Sequence, residues 1–397
     1  MNRNPFIILV AFLSIFLLSG CWDRNELQEL DVVGALGIDL NEDTENKYRV
    51  TVQIINEQKI STTQGQGGGS EAAPVTTFSA SGSTIHEAFQ KISPQSSQKL
   101  FFPHVQLMVI GEELAREEGI QDLFDWIERD SQFRTLFPIL IARDHKAEEL
   151  LQITTSLESV PAVGIADSLK NSRKGTSTQA NQVIQQLSEK GVSLTGLQMT
   201  GNAENGNSVK NVQQISPETK VEIKGIAVFK QGKLTKWLDG SLERGAMWIN
   251  KEVSETNINL PCKKEEKDVA VDLNRYILKI KAKIKNGKPV IDIKARAEGE
   301  ISEVQCPIDL SKHESIEKLE NEMAKKMKAE MVMAVEAAKE ARSDFFHFGE
   351  YVNREDPKLY KKIEKTWDEE IFPETDINVD VQAFIRRTGL RTKSYIK

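Results

Sequence analysis

The chain has 397 residues, a formal net charge of −7, 39% hydrophobic and 28% charged residues, and three cysteines. That length gives two or three domains, each able to bury a core, and the composition excludes a disordered, collagenous or polytopic chain. The acidic balance excludes a general nucleic-acid binder, which would carry a basic domain or stripe, and the cysteines are too few for a disulfide scaffold.

Residues 1–21 read MNRNPFIILVAFLSIFLLSGC. Arg3 and the amino terminus form a positive start, and Phe6 to Leu18 is an apolar run broken only by Ser14. This run fits a signal-peptide core and falls short of the roughly 20 residues that span a bilayer. It ends in Leu18-Ser19-Gly20-Cys21, which resembles the lipobox of bacterial lipoproteins. Small residues at 19 and 20 let an extended backbone enter a peptidase, and Cys21 supplies the thiolate that takes the S-diacylglyceryl group and precedes the N-acyl group. Residues 1–20 are therefore expected to be a signal peptide, and the mature chain to begin at Cys21 with its charge lowered from −7 to −8 by the loss of Arg3. Two acyl chains or more on one residue meet the requirement for stable anchoring. The competing readings are an ordinary secretory signal with a chance cysteine, or an uncleaved anchor helix.

The mature chain opens with alternating strand and helix signals. Val33 to Leu40 and Tyr48 to Asn56 read as strands, followed by a low-complexity loop over Ser61 to Pro74. Gly65-x-Gly67 within that loop lacks the leading strand and following helix of a phosphate cradle. A strand near Thr76 to Ala80, a helix near Thr84 to Ile92, a buried-type strand over Val105 to Ile110 and a helix over Glu112 to Arg129 follow. Arg134 to Arg143 reads as a further strand, with Pro138 predicting an edge position or a bulge, and Ala147 to Ile153 as a helix. This rhythm predicts a layered α/β domain over residues 21–200. Ser168 to Lys190 reads as a polar loop entering a helix, with Val183, Ile184 and Leu187 on one face.

Asn202 to Asn211 reads as a linker. Val221 to Phe229, the turn Lys230 to Lys233, Leu234 to Leu238 and a short helix over Leu242 to Trp248 then make a small central unit, residues 201–258, or an extension of its neighbour. Residues 259–397 read as an α+β domain. Tyr276 to Lys285 alternates apolar residues with lysines, Asn286-Gly287 is the preferred pair for a type I′ turn, and Ile291 to Ala297 alternates on the return strand. Ser311-x-x-Glu314 reads as a capping box opening a helix to about Phe345, roughly 45–50 Å long. Its stripe of Ile316, Leu319, Met323, Met327, Met331, Val335 and Ala338 is core filler rather than a set of metal ligands. A helix over Pro357 to Glu370 and a strand over Ile377 to Ile385 complete an antiparallel sheet with a long helix. The fold class is α+β or mixed α/β, in three domains with mixed sheets and packed helices.

Catalytic motifs are missing. The five histidines (His86, His104, His145, His313 and His347) form no His-x-x-x-His pair, and neither a Gly-x-Ser-x-Gly elbow nor a phosphate loop occurs. No enzyme activity, metal or cofactor is expected. His347 with Glu350 reads as a helix-end pair, and Lys279, Lys281, Lys283, Lys285, Lys294 and Arg296 form either a solvated face that discourages edge aggregation or a docking face for anionic lipid or an acidic partner. Cys262 and Cys306 flank the strand-rich hairpin and are a candidate disulfide in an extracytoplasmic setting.

Several segments together resemble one family. Cys21-Trp22-Asp23-Arg24-Asn25-Glu26-Leu27 with Val33-Gly34-Ala35-Leu36-Gly37-Ile38-Asp39 is similar to the mature start of the Ger(x)C spore-germination lipoproteins. Arg244-Gly245-Ala246-Met247-Trp248 resembles that family's middle signature, and Phe348-Gly349-Glu350 to Pro357 with Lys361 to Pro373 its end. The resemblance implies a three-domain, non-catalytic C subunit of a germinant receptor. It further implies a lipid anchor on the outer face of the inner spore membrane, through Cys21, beside polytopic A-type and B-type subunits. No direct germinant binding, nucleic acid or cofactor is expected. The alternative is a solute-binding lipoprotein of a membrane transporter, which would need a cleft between two similar lobes; a membrane-anchored hydrolase would need a nucleophile or metal constellation.

Overall fold

The computed structural model describes residues 29–43, 45–56, 73–171, 178–189, 191–253, 256–262, 268–389 and 391. Cys21, the signal segment and most of the low-complexity loop, Gly65-x-Gly67 included, lie outside the described residues.

The first part of the chain forms a nine-stranded sheet. Its strands are β1 (Leu30–Leu40), β2 (Tyr48–Ile55), β3 (Val75–Gly82), β4 (Lys99–Phe101), β5 (Leu107–Gly111), β6 (Ile139–Ala142), β7 (Gly191–Thr200), β8 (Lys220–Lys230) and β9 (Lys233–Leu238). They lie in the order β3-β2-β1-β5-β6-β7-β8-β9, with β4 beside β1. The middle strands β1, β5, β6 and β7 run parallel, and the outer hairpins are antiparallel. The interleaved helices are α1 (Ile85–Ile92), α2 (Glu112–Glu117), α3 (Gln121–Arg129), α4 (Ala147–Leu151), α5 (Pro161–Asn171) and α6 (Ala180–Glu189). Short helical turns, Ala203–Gly206 and Val209–Gln213, lie between β7 and β8.

Parallel strands covered on both faces need apolar residues at successive positions, and Leu107 to Ile110 and Ile139 to Ala142 are fully buried runs. One face packs Met108, Ile110 and Ile141 under α1, α2, α3 and α6; the other packs Leu107, Val109 and Leu140 under α4 and α5. The predicted long helix 112–129 is two helices, because Gly119 takes a φ of +87° and the Ile120 amide turns to the Gly232 carbonyl at 2.8 Å. Strand β6 is shorter than predicted and is internal rather than an edge. Pro138 stands just before it, where its missing N–H breaks no ladder bond while its carbonyl accepts from the Met108 amide at 3.0 Å. Helix α5 has no counterpart in the sequence reading, since Gly164, Asp167 and Ser168 dilute its apolar face.

The segment after β7 is continuous with this sheet: β8 and β9 form its outer hairpin. Helix α7 (Ser241–Asn250) then crosses to a second body. There β10 (Asn257–Pro261), β11 (Asp268–Lys285), β12 (Lys288–Val304) and β13 (Asp376–Arg387) form a four-stranded sheet in that order. The predicted hairpin is present, with Asn286 at φ +51° and Gly287 at φ +76° in its turn. The sheet is not antiparallel throughout: β13 runs parallel to β12, because the helices between them carry the chain back to the starting end.

Those helices are α8 (His313–Ala341), α9 (Phe348–Glu355) and α10 (Pro357–Ile363), followed by a π-helical turn over Trp367–Ile371. The capping box predicted at Ser311 does not form. Asp309, two residues before Ser311, takes both the Ser311 amide at 3.0 Å and its hydroxyl at 2.5 Å, so the helix starts without a side-chain cap at Lys312. It ends at Ala341, short of Phe345, where Arg342 turns left-handed. Its buried stripe is the predicted one, with Met323, Met327 and Met331 fully buried. Truncating Met327 to Ala should cost about 3 kcal/mol, whereas the same change at half-exposed Met333 should cost under about 1 kcal/mol; urea unfolding of both variants measures the difference.

Candidate functional site

A layered α/β sheet most often binds ligands at the carboxyl ends of its parallel strands. Here that crevice is lined by Asp39, Glu112, Arg116, Asp144, His145 and Lys146, but its buried acids are committed to the fold. Asp39 accepts the Ala147 and Glu148 amides at 2.7 and 2.9 Å, capping the first turn of α4 from another strand. Burial pushes its carboxyl up to about 6, against the pull of those amides. Glu112 accepts from Arg116, from the Trp237 indole at 2.9 Å and from the Asp144 amide at 3.0 Å. Among the described residues, no group of three or more His, Cys, Asp or Glu side chains converges as a metal site, and no helix is long and apolar enough to cross a membrane.

The residues of the middle and C-terminal signatures lie instead at the junction between the two sheets, while Val33 to Asp39 of the first signature stays in β1. Within Arg244 to Trp248, Gly245 sits against α8 so closely that a Cβ there would overlap the Glu330 carbonyl. Glu330 is 3% exposed. Its carboxylate accepts Arg244 Nε at 2.8 Å, a second guanidinium N–H and the Trp248 indole N–H at 2.9 Å. The bond to Glu330 holds the Arg244 guanidinium above its ordinary pKa. The Trp248 carbonyl in turn accepts the Tyr276 hydroxyl of β11 at 2.9 Å. One buried acid therefore ties α7, α8 and the second sheet together.

The C-terminal signature is organised by a second buried acid, Asp344, just beyond the end of α8. Its carboxylate accepts the Phe348 amide at 2.9 Å, the Gly349 amide at 2.7 Å and the Trp367 indole at 2.7 Å. Burial pushes its carboxyl above the ordinary range, and those three donors pull it back. Gly349 leaves no room for a side chain, with the Tyr360 hydroxyl 2.8 Å and the Trp367 Nε1 3.0 Å from a built Cβ. The Asp344 amide donates to Asp368 at 3.1 Å, and the Ser343 hydroxyl donates to the Phe229 carbonyl of β8 at 2.6 Å. Lys230–Glu369 at 2.7 Å and Lys236–Glu340 at 2.8 Å bridge the same seam.

The residues singled out from the sequence fall in different places. Cys262 and Cys306 meet, with Cα atoms 6.2 Å apart and their sulfurs in contact, since β10 and β12 flank the same end of β11. His347 is the left-handed residue before α9 and its carbonyl accepts the Glu350 amide at 3.1 Å; Glu350 pairs with Arg354 at 2.7 Å. Lys279, Lys281, Lys283, Lys285, Lys294 and Arg296 all lie exposed on one side of the second sheet, where Asp292 neutralises Lys283, and Glu298 lies 2.9 Å from Arg296 and 3.0 Å from Arg386. Glu330 and Asp344 were not anticipated. The signal available for each is an acid inside an otherwise apolar stretch, Glu330 on the stripe of α8 and Asp344 before Phe345-Phe346.

Replacing Glu330 by Ala should cost about 3 kcal/mol, because the buried Trp248 indole would lose its acceptor and the partly exposed Arg244 guanidinium its ion pair. Denaturant unfolding followed by tryptophan fluorescence measures it.

Residues 23–197 match the family model of the spore germination protein N-terminal domain, and residues 224–389 that of the spore germination B3/GerAC-like C-terminal region. Spore germination protein KC of Bacillus subtilis (strain 168) is 33% identical over 398 residues, covering 98% of this chain and 97% of that protein. Spore germination protein B3 of the same organism is 24% identical, covering 96% of this chain and 97% of its own length. The crystal structure of the GerBC protein superposes with a TM-score of 0.54 at 18% identity, covering 92% of this chain and all of that one. The chain belongs to the Ger(x)C family of spore germination proteins.

Proposed function

We propose that the chain is a lipid-anchored, non-catalytic C subunit of a spore germinant receptor, required for assembly of the receptor or for its signalling. The observation that carries this reading is family likeness along nearly the whole chain together with a Leu18-Ser19-Gly20-Cys21 lipobox at its start. The junction supports it: the signature side chains brought together there hold helices and strands to one another rather than surround a reacting centre. A solute-binding lipoprotein is less well supported, because one body is built on nine strands and the other on four, so two similar lobes do not face a cleft.

In this reading Cys21 carries the acyl groups, and the folded body stands outside the inner spore membrane beside polytopic A-type and B-type subunits. Tethering to the same surface raises the effective concentration of the partners, so weak protein contacts suffice for assembly. The body then passes on a conformational bias when a germinant binds elsewhere in the complex. A domain edge near residue 258 belongs to the same proposal, with the segment after residue 200 an extension of the first sheet. The seam through Ser343, Lys230 and Lys236 gives such a bias a mechanical route between the bodies.

A Cys21→Ala chain should lose its lipid label, leave the membrane fraction and lower receptor level or germination response, while its circular dichroism stays that of the anchored form. Full germination by the unlipidated chain would overturn the reading. Affinity capture of the lipidated protein from spore membranes should bring two polytopic subunits with it.

Outside the cytoplasm the Cys262–Cys306 pair is proposed to be oxidised. The bridge closes a loop of 45 residues and stabilises by about 4 kcal/mol in the chain-entropy model. Non-reducing gels should show a mobility shift on reduction that the Cys262→Ser/Cys306→Ser double variant lacks, and that variant should unfold at lower denaturant.

A further inference from the structure

The β11–β12 hairpin carries a charge opposite to that of the chain. Residues 276–296 hold seven cations against one anion, Asp292, a net charge of +6 in a chain of −7. The strand register sets Lys285 opposite Lys288 and Lys279 opposite Lys294. Like charges directly opposite one another destabilise a strand pair. None of these four forms an ion pair with a described carboxylate, and Asp292 is taken by Lys283 and by the Asn378 amide. Asp376 and Asp380 of the neighbouring β13 border the face without pairing with it. Guarding an edge does not account for Lys294, because β12 is an internal strand with β11 on one side and β13 on the other. Repulsion kept without a paired countercharge suits a face that meets anions.

The topology places the turn of this hairpin at the end of the molecule from which the chain runs back to Cys21. Parallel β1, β5, β6 and β7 share their amino ends, and their registers set Gly191 of β7 at about the height of Val33, three residues into β1 from Leu30. There Gly191 abuts the Asp344 carbonyl, and Lys230, its partner on β8, pairs with Glu369 at 2.7 Å. The π-helical turn that holds Glu369 ends at Ile371, and β13 then starts at Asp376 beside Val290, within three residues of Gly287. The far end of the same sheet is marked by Glu320 of α8, which accepts the Ile385 amide at 2.8 Å. Cys21 and Leu30 are nine residues apart, at most about 32 Å of chain.

We propose that the tip of this hairpin, through Lys281, Lys283, Lys285 and Lys288, rests on the anionic headgroups of the bilayer to which Cys21 tethers the chain. The choice of a bilayer rests on the lipid-anchor reading above; the basic face does not depend on it. The tether sets the distance, and the lysines set the orientation once they come within a Debye length of the surface, roughly 10 Å. Ammonium groups spaced along a strand act as mobile point charges, which suits a field of lipid phosphates better than a particular acidic peptide. In this pose the amino ends of the first sheet and the hairpin turn face the membrane, while the carboxyl ends of the parallel strands and the start of α8 point away from it.

The test is co-sedimentation of residues 22–397, which hold every described residue and no acyl group, with vesicles of phosphatidylcholine containing phosphatidylglycerol and with phosphatidylcholine alone. Partition to the anionic vesicles is expected to be about a hundredfold stronger or more, at about fivefold per lysine, and to fall as salt is raised. Lys281→Gln/Lys285→Gln/Lys288→Gln should bring it to within about tenfold of the neutral vesicles, while the thermal midpoint holds or rises because the Lys285–Lys288 repulsion is gone. The charge-matched variant Lys318→Gln/Lys325→Gln/Lys328→Gln, on the first half of α8, should bind as the parent does. In the lipidated chain on anionic vesicles, acetylation should slow several-fold at Lys285 and Lys288 and stay unchanged at Lys325 and Lys328. Equal partition to the two vesicles, no binding to the anionic ones, or equal losses in the two triple variants overturns the proposal. So does binding of polyglutamate without binding of anionic vesicles, which would assign the face to an acidic protein. The vesicle assay reads the hairpin and the lipid label at Cys21 reads the anchor, so either can fail without the other.

Discussion

The fold depends on the close approach of α7 to α8 at Gly245, over the buried carboxylate of Glu330. A charged acid 3% exposed is costly to bury unless its lone pairs are filled. Arg244 and Trp248, one residue to one side of Gly245 and three to the other, fill them. Their spacing on one helix places both donors on the face that touches α8, and glycine between them lets the backbones meet. A side chain at 245 would push the helices apart and strip Glu330 of its donors. The same contact sets the height of Trp248 over Tyr276, whose rings are 5.4 Å apart, and so fixes the second sheet against the first.

From that contact the architecture spreads in both directions. The β8–β9 hairpin is the edge of the first sheet, yet it is covered on both faces by different cores. Ala227, Phe229 and Leu234 pack into the helical core of the first body, while Ile226, Val228 and Leu238 pack with α7, α8 and the second sheet. A strand alternates its side chains between two faces, so a single hairpin serves two cores, and no exposed polar linker separates the bodies there. Asp344 closes the far end of α8 against the same hairpin through Ser343 and Phe229. Gly191, where a Cβ would overlap the Asp344 carbonyl, brings β7 into the same knot. The two parts share an apolar core along this hairpin, and the partly exposed ion pairs Lys230–Glu369 and Lys236–Glu340 flank it.

Legibility from sequence varied with how local the determining physics is. The β11–β12 hairpin was readable because alternation of Leu278, Ile280, Ala282 and Ile284 with lysines and an Asn286-Gly287 turn are all short-range signals. The methionine stripe of α8 was readable for the same reason, through its spacing of three and four. The capping box at Ser311 failed because a stronger local acceptor, Asp309, competes for the same serine. The direction of β13 was not readable, since strand polarity depends on where the intervening helices deliver the chain and not on the strand's own residues. The signature around Arg244 was visible as a motif, but its purpose was not: Glu330 stands 86 residues away in sequence.

By itself the sequence determined the α+β character of the chain, the N-terminal segment ending in Leu18-Ser19-Gly20-Cys21 and the family likeness, because these reside in composition, short-range periodicity and contiguous motifs. The tertiary structure alone decided which acids are buried and what they hold, that Cys262 and Cys306 meet at one end of β11, and that the lysine-rich turn of β11–β12 lies at the same end as the start of β1. Each of these depends on bringing together residues tens to more than a hundred positions apart, where burial and the lack of competing water turn an ordinary polar side chain into a constraint.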